Sequence, residues 1–99
     1  MAAAPSFEPK DSFTFHQKIG ANNSLLDYTK MVILFALQPQ QKSLYEKCKI
    51  MREKFNERYS DSNWEVIIYY INCGSCCCDY KSVFISVEYD KYNFVIFNN

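Results

Sequence analysis

The sequence predicts an α+β domain, with two helices followed by an antiparallel set of strands, on three observations. Leu44, Cys48, Met51, Phe55 and Tyr59 recur at helical spacing and form one apolar stripe. Beyond the polar stretch Ser60-Asp61-Ser62-Asn63 the period falls to two, with aromatic and β-branched residues from Trp64 onward. Only Asp90-Lys91 separates the apolar runs 83–89 and 92–97, and a two-residue connection forces an antiparallel hairpin.

The elements follow in order. Residues 1–12 show no periodicity and are expected to form a flexible tail, leaving residues 13–99 as the domain. Phe13, Phe15 and Ile19 stand among polar residues, which suits a short, half-buried first strand. Gly20-Ala21-Asn22-Asn23-Ser24 breaks the chain, and Asn23 or Ser24 can cap the helix that follows by accepting from its unpaired amides. That helix is expected over about 25–38, with Asp27 adding favourable charge to its first turn. Leu26, Met31, Leu34 and Leu37 offer one apolar face, and Ile33 and Phe35 widen it almost to the full circumference, so the helix needs cover on more than one side. Pro39 disfavours helical geometry at Gln38 and is tolerated at the start of the next helix, expected from about Gln40. On this second helix Lys47, Lys49, Arg52, Glu53, Lys54 and Glu57 fall mainly off the apolar stripe, as a solvated face. A strand over 64–71 carries one charge near its start and is expected to be covered on both faces. In residues 83–89, Val83, Ile85, Val87 and Tyr89 alternate with Phe84, Ser86 and Glu88. One face is therefore apolar and the other mixed, a place for a groove.

Composition narrows the function. Ninety-nine residues, 48% apolar and 17% aromatic, suffice for one domain without metal or disulfide staples. Eleven basic residues are interspersed with eleven acidic ones, so the chain lacks the basic stripe that nucleic acid requires. The longest apolar run, residues 31–37, falls far short of the roughly 20 residues of a membrane-spanning helix. The first dozen residues lack the basic start and apolar centre of a signal peptide, which favours the cytosol. Five cysteines, four of them between Cys73 and Cys78, do not form the spaced pattern of a secreted disulfide scaffold and are expected as thiols.

The cluster Cys73-Gly74-Ser75-Cys76-Cys77-Cys78 alone invites chemistry. A Cys-x-x-Cys pair can serve as a redox couple or as half of a zinc site. Redox pairs of this kind open a helix, whereas this pair lies between strand-like segments, and Cys48 and the single histidine, His16, have no telling spacing to it. Alternation also sends Cys76 and Cys78 to one face of a strand and Cys77 to the other. Small apolar strand residues at a packed edge explain the cluster more simply. His16 has no carboxylate or serine pattern around it, and Trp64 at the head of a buried strand suits a core anchor. Tyr69, Tyr70, Tyr89 and Tyr92 suit either a peptide-binding face or ordinary cross-strand pairing. No phosphate loop, nucleophile elbow or catalytic carboxylate pair occurs, so neither catalysis nor a cofactor is expected.

A longer pattern carries a resemblance. Lys54-Phe55-Asn56-Glu57-Arg58-Tyr59 is followed by Asn63-Trp64-Glu65-Val66-Ile67-Ile68, then Gly74-Ser75, then Phe84-Ile85 running without a gap to Phe97. Over roughly residues 18–97 the chain resembles the dynein light chains of the eight-kilodalton class. The resemblance implies two helices packed on one face of an antiparallel sheet, with a short strand at residues 74–78 that crosses to a partner protomer. It further implies a dimer whose groove accepts an extended peptide as an added strand, main-chain hydrogen bonds giving affinity and alternate pockets giving selectivity.

The site implied by the resemblance comprises Cys73, Gly74, Ser75, Cys76, Cys77, Cys78, Asp79, Phe84, Ser86, Glu88 and Tyr45. Gly74, Ser75 and Phe84 match the family directly. Cys73 replaces an aromatic, Cys76-Cys77-Cys78-Asp79 replaces Tyr-Val-Thr-His, Ser86 and Glu88 replace two groove tyrosines, and Tyr45 replaces a groove lysine. Single insertions fall before Trp64 and between Trp64 and Gly74. The expected protein is a non-catalytic hub binding dynein intermediate chains, paired with itself or with related dynein light chains within a dynein heavy chain complex. Its expected place is the cytoplasm and cytoskeleton, with a specialised axonemal arm of a cilium or flagellum as one version. A thiol-based metal or redox domain built on residues 73–78 is the alternative.

Overall fold

The computed structural model describes residues 13–38, 42–70 and 78–99. These form β1 (Thr14–Ile19), α1 (Asn23–Leu37), α2 (Leu44–Arg58), β2 (Trp64–Tyr70), β3 (Phe84–Tyr89) and β4 (Tyr92–Asn98). The four strands make one antiparallel sheet in the order β1-β3-β4-β2. β4 pairs with β3 from Phe84↔Phe97 to Tyr89↔Tyr92 and with β2 from Trp64↔Asn98 to Tyr70↔Tyr92. The register between β1 and β3 slips between Phe15 and Gln17, placing His16 in a bulge. The expected tail and the expected helix boundary at Pro39 lie outside the described residues.

Both helices begin where a side chain satisfies their first amides, and in both cases not at the expected residue. Asn22, rather than Asn23 or Ser24, caps α1, its Oδ1 accepting from the Leu25 amide at 2.8 Å. The helix therefore starts at Asn23 and leaves Asp27 beyond the first turn. α2 starts at Leu44 instead of near Gln40, because Ser43 and Glu46 close a capping box. Ser43 Oγ accepts from the Glu46 amide at 3.1 Å, and the Glu46 carboxylate accepts from the Ser43 amide at 3.0 Å. The Ser43 amide, followed by the positive charges of Lys42 and Lys47, holds the Glu46 carboxyl below its ordinary range. A cap of this kind contributes about 1 kcal/mol.

α1 buries Leu25, Thr29, Val32, Ile33 and Ala36, a different stripe from the expected one. Met31 and Phe35 point outward, 56% and 48% exposed, while Leu26, Leu34 and Leu37 pack at the margins. Buried Thr29 donates its hydroxyl to the Leu25 carbonyl at 2.8 Å and so leaves no orphan polar atom. On α2 the expected stripe holds: Met51 and Phe55 are fully buried, and Leu44, Cys48 and Tyr59 pack against them. Lys47 departs from the solvated face. It is 4% exposed, and its Nζ donates to the Lys42 carbonyl at 2.9 Å.

The strands show the expected alternation. On β3, Ile85, Val87 and Tyr89 are buried toward the helices, while Phe84, Ser86 and Glu88 are half-buried on the other face. Trp64 is a core anchor, packed 5.3 Å from the Phe55 ring, with its indole N–H donating to the Tyr59 carbonyl at 2.9 Å. Its backbone amide donates to Asn56 Oδ1 at 2.9 Å, tying the start of β2 to the end of α2. The two-residue turn forms as expected, and Asp90 rather than Lys91 takes the left-handed backbone angle, φ 58.

Gly20, between β1 and α1, has φ +70, and a Cβ there would run into the Ser82 carbonyl. Gly20→Ala is therefore expected to destabilise by more than about 1 kcal/mol, since strain and a backbone clash act together. Thermal unfolding checks this, and an unchanged midpoint would contradict it.

Candidate functional site

The sheet has two unlike faces, and the sites expected from the sequence divide between them. The helix-covered face carries the core of Ile85, Val87, Phe94, Ile96, Trp64 and Ile68. On the opposite face the β3 residues Phe84, Ser86 and Glu88 lie across from Phe97, Val95 and Asn93 of β4. This face has an apolar layer of its own. Val95 is 1% exposed and Phe97 8%, and rings of Tyr80, Phe84 and Phe97 follow one another at 5.4 and 6.3 Å. β4 is buried continuously from Phe94 to Asn98.

Glu88 ends the β3 row beside the β1 bulge. His16 Nε2 lies 3.1 Å from Glu88 Oε1, so this histidine does have a carboxylate neighbour, brought from 72 residues away. The pair lies at the surface, with side chains 50% and 37% exposed, and contributes little to stability.

Tyr45 sits on the helix side of the sheet, 74% exposed. With Cys48, Lys49, Arg52, Glu65 and Val66 it lines a cleft of about 200 Å³ between α2 and β2. Arg52 Nη1 and Glu65 Oε1 approach to 3.7 Å across it. Burial pushes the Cys48 thiol up from its ordinary value, against smaller lowering effects from the Ile68 backbone and Arg52. Such a thiol is a poor nucleophile near neutral pH. Among the described residues β2 pairs only with β4, and no described strand lies along its other edge, beside this cleft.

Within one chain, Tyr45 and the Phe84, Ser86, Glu88 row thus lie on opposite sides of the sheet. Cys73, Gly74, Ser75, Cys76 and Cys77 lie outside the described residues. Cys78 is half-buried, and Asp79 is exposed. Among the described residues no group of three or more His, Cys, Asp or Glu is placed to hold a metal ion, and no helix is long and apolar enough to cross a membrane. The four tyrosines do not share a face. Tyr70 and Tyr92 are cross-strand partners 5.5 Å apart, Tyr89 stacks on Phe13 at 4.2 Å, and Tyr69 is paired with Asn93 in the other row.

Sequence reasoning missed Asn98, which is 3% exposed and holds the 81–83 segment against β4 through both its amide atoms. No local pattern marks an asparagine at the end of a strand for this role. It also missed the gathering of lysines at the start of α2.

The described architecture matches solved domains over nearly its whole length. The dynein light chain-like domain of a calcium binding protein of Fasciola hepatica, solved as a mercury derivative, superposes with a TM-score of 0.71 at 11% identity, covering 97% of this chain and 98% of that one. The fold is that of dynein light chain-like domains. The corresponding domain of CsTAL3 gives a TM-score of 0.60 at 16% identity, covering 96% and 100%. No protein-family model matches the sequence, and no curated protein matches it. At these identities the likeness concerns fold, and helices on one face of a four-stranded antiparallel sheet are what the resemblance implied.

Proposed function

We propose that the chain is a non-catalytic, dimeric dynein light chain that holds two extended segments of dynein intermediate chains side by side. The observation that carries this reading is the β2 edge that no described strand pairs, beside the Tyr45–Cys48–Arg52 cleft, in a dynein light chain-like fold. An open edge offers unpaired backbone groups to an added strand, and the neighbouring cleft offers side-chain selectivity. In this proposal the strand added to β2 is the 74–78 segment of the partner protomer, and the peptide lies beside that strand. The second apolar sheet face, with Phe84 and Tyr80 at its surface, supplies the body of the dimer interface. Two weak sites on one dimer gain affinity for a paired ligand through effective concentration.

Ser86, Glu88 and Tyr45, where the family resemblance implies two tyrosines and a lysine, give this groove a different preference. A dedicated neighbour in an axonemal dynein arm suits that change better than many exchangeable peptides. The partner is then the protein itself or a related light chain, in the cytoskeleton or axoneme.

Light scattering at micromolar concentration, alone and mixed with dynein light chains, tests the dimer. Affinity purification from the native cell tests the complex. Recovery of dynein intermediate and heavy chains is the expected result. A chain that stays monomeric in every mixture overturns the reading, and stoichiometric zinc on the purified protein would favour the thiol alternative.

A further inference from the structure

Folding gathers three lysines that the sequence scatters among acidic residues. Lys42, Lys47 and Lys91 line one cleft of about 320 Å³ together with Tyr70, Asp90 and Tyr92. The cleft lies where the β3–β4 turn, the end of β2 and the start of α2 meet, and it shares no lining residue with the cleft at the β2 edge.

Two of the three ammonium groups are held in place. The buried Lys47 stem fixes its Nζ 2.9 Å from the Lys42 carbonyl. Lys91 Nζ lies 5.6 Å from the centre of the Tyr92 ring, which is braced in turn by Tyr70. Positioned charges lose less side-chain freedom when they take up an anion than charges free in solvent do. Among the described residues neither Lys42 nor Lys91 forms an ion pair with a carboxylate. Among the described lining residues Asp90 is the one carboxylate; Glu46 nearby is held in the Ser43 cap and keeps its charge, so the lysines still outnumber the carboxylates. In a chain of zero formal charge this is a local positive excess.

We propose that this cleft binds a phosphate monoester. Such a group carries about −1.5 to −2 charges at neutral pH, enough for several ammonium groups to share, and its terminal oxygens accept from their N–H donors. A polymeric phosphodiester fits poorly, since it needs a basic track beyond one cleft. The ester can belong to a soluble molecule or to a lipid headgroup such as phosphatidate.

Phenyl phosphate is the probe, titrated into the full chain at low salt with amide chemical shifts as readout. The expected result is saturable shifts at Lys42, Ser43, Lys91 and Tyr92. The double variant Lys42→Glu/Lys91→Glu, both exposed positions, weakens binding about tenfold or more, while Lys54→Glu, beside Phe35 and absent from the cleft lining, leaves it unchanged. Co-sedimentation with phosphatidylcholine vesicles, with and without phosphatidate, separates the sources. Binding to phosphatidate vesicles that is lost in the double variant assigns the lipid, and phenyl phosphate binding alone assigns a soluble ester. Shifts that do not saturate, that persist in the double variant or that are equally lost in Lys54→Glu overturn the proposal. So does vesicle binding without phenyl phosphate binding.

Discussion

Phe55→Ala is expected to remove about 3–5 kcal/mol of stability, a large share of the roughly 5–15 kcal/mol that holds an ordinary domain folded. Phe55 is fully buried, its ring edge-on to Tyr28 at 5.4 Å and tilted against Trp64 at 5.3 Å. Truncation leaves a cavity where both helices meet the sheet, and Tyr28 cannot collapse into it freely, because its hydroxyl donates to the Lys54 carbonyl at 3.0 Å. Phe35→Ala supplies the contrast. It deletes the same ring from a helix of the same length, but Phe35 is 48% exposed and its main partner is Lys54, 4.5 Å above the ring. That change is expected to cost less than about 1 kcal/mol. Urea unfolding followed by the fluorescence of Trp64, the single tryptophan, reports both. The variants must be compared at one protein concentration, since dimerisation would couple stability to it. Equal midpoints for the two variants would refute this account of the core.

Asn98→Ala is expected to cost about 2–4 kcal/mol through polar atoms rather than apolar area. Asn98 Oδ1 accepts from the amides of Ser82 at 3.1 Å and Val83 at 2.8 Å, and Nδ2 donates to the hydroxyls of Ser82 at 3.0 Å and Ser62 at 3.3 Å. Val83 is buried, so losing its acceptor leaves a donor that water does not reach, whereas exposed Ser82 can turn to solvent. Backbone bonds from the Lys81 amide to the Asn98 carbonyl and from the Asn98 amide to the Val83 carbonyl remain, so the segment loosens without leaving. Amide hydrogen exchange should accelerate at Val83 well beyond Phe94 in the same sheet. Asn98→Asp keeps the acceptor and loses the two donated bonds, so it should fall between wild type and alanine. An alanine variant with unchanged protection at Val83 would show that the clamp does not bear on stability.

What the sequence disclosed tracked how local the physics is. The β3 alternation and the α2 stripe were legible because one covered face imposes a period on each. The phase of α1 was not, since residues 31–37 are apolar nearly all round and only packing selects Val32 and Ile33 over Met31 and Phe35. The start of α2 was legible and passed over: Ser43 and Glu46 spell a capping box, a stronger signal than the tolerance of proline at a helix start. Burial of Lys47, the His16–Glu88 pair and the Asn98 clamp join residues far apart in sequence or depend on tertiary packing, and no window of sequence shows them. Of the site, the row of Phe84, Ser86 and Glu88 came from strand period, while the place of Tyr45 beside the β2 edge came from the fold.

The order of the strands also bears on how the chain is made. β4, last in sequence, is the spine to which β2 and β3 both attach, and β2 has no other described partner. During synthesis the helices can form as they emerge, but β2 must wait with both edges unsatisfied until residue 98 has left the ribosome. Until β4 docks, β2 lacks its one described partner and is an aromatic-rich strand exposed to wrong pairing.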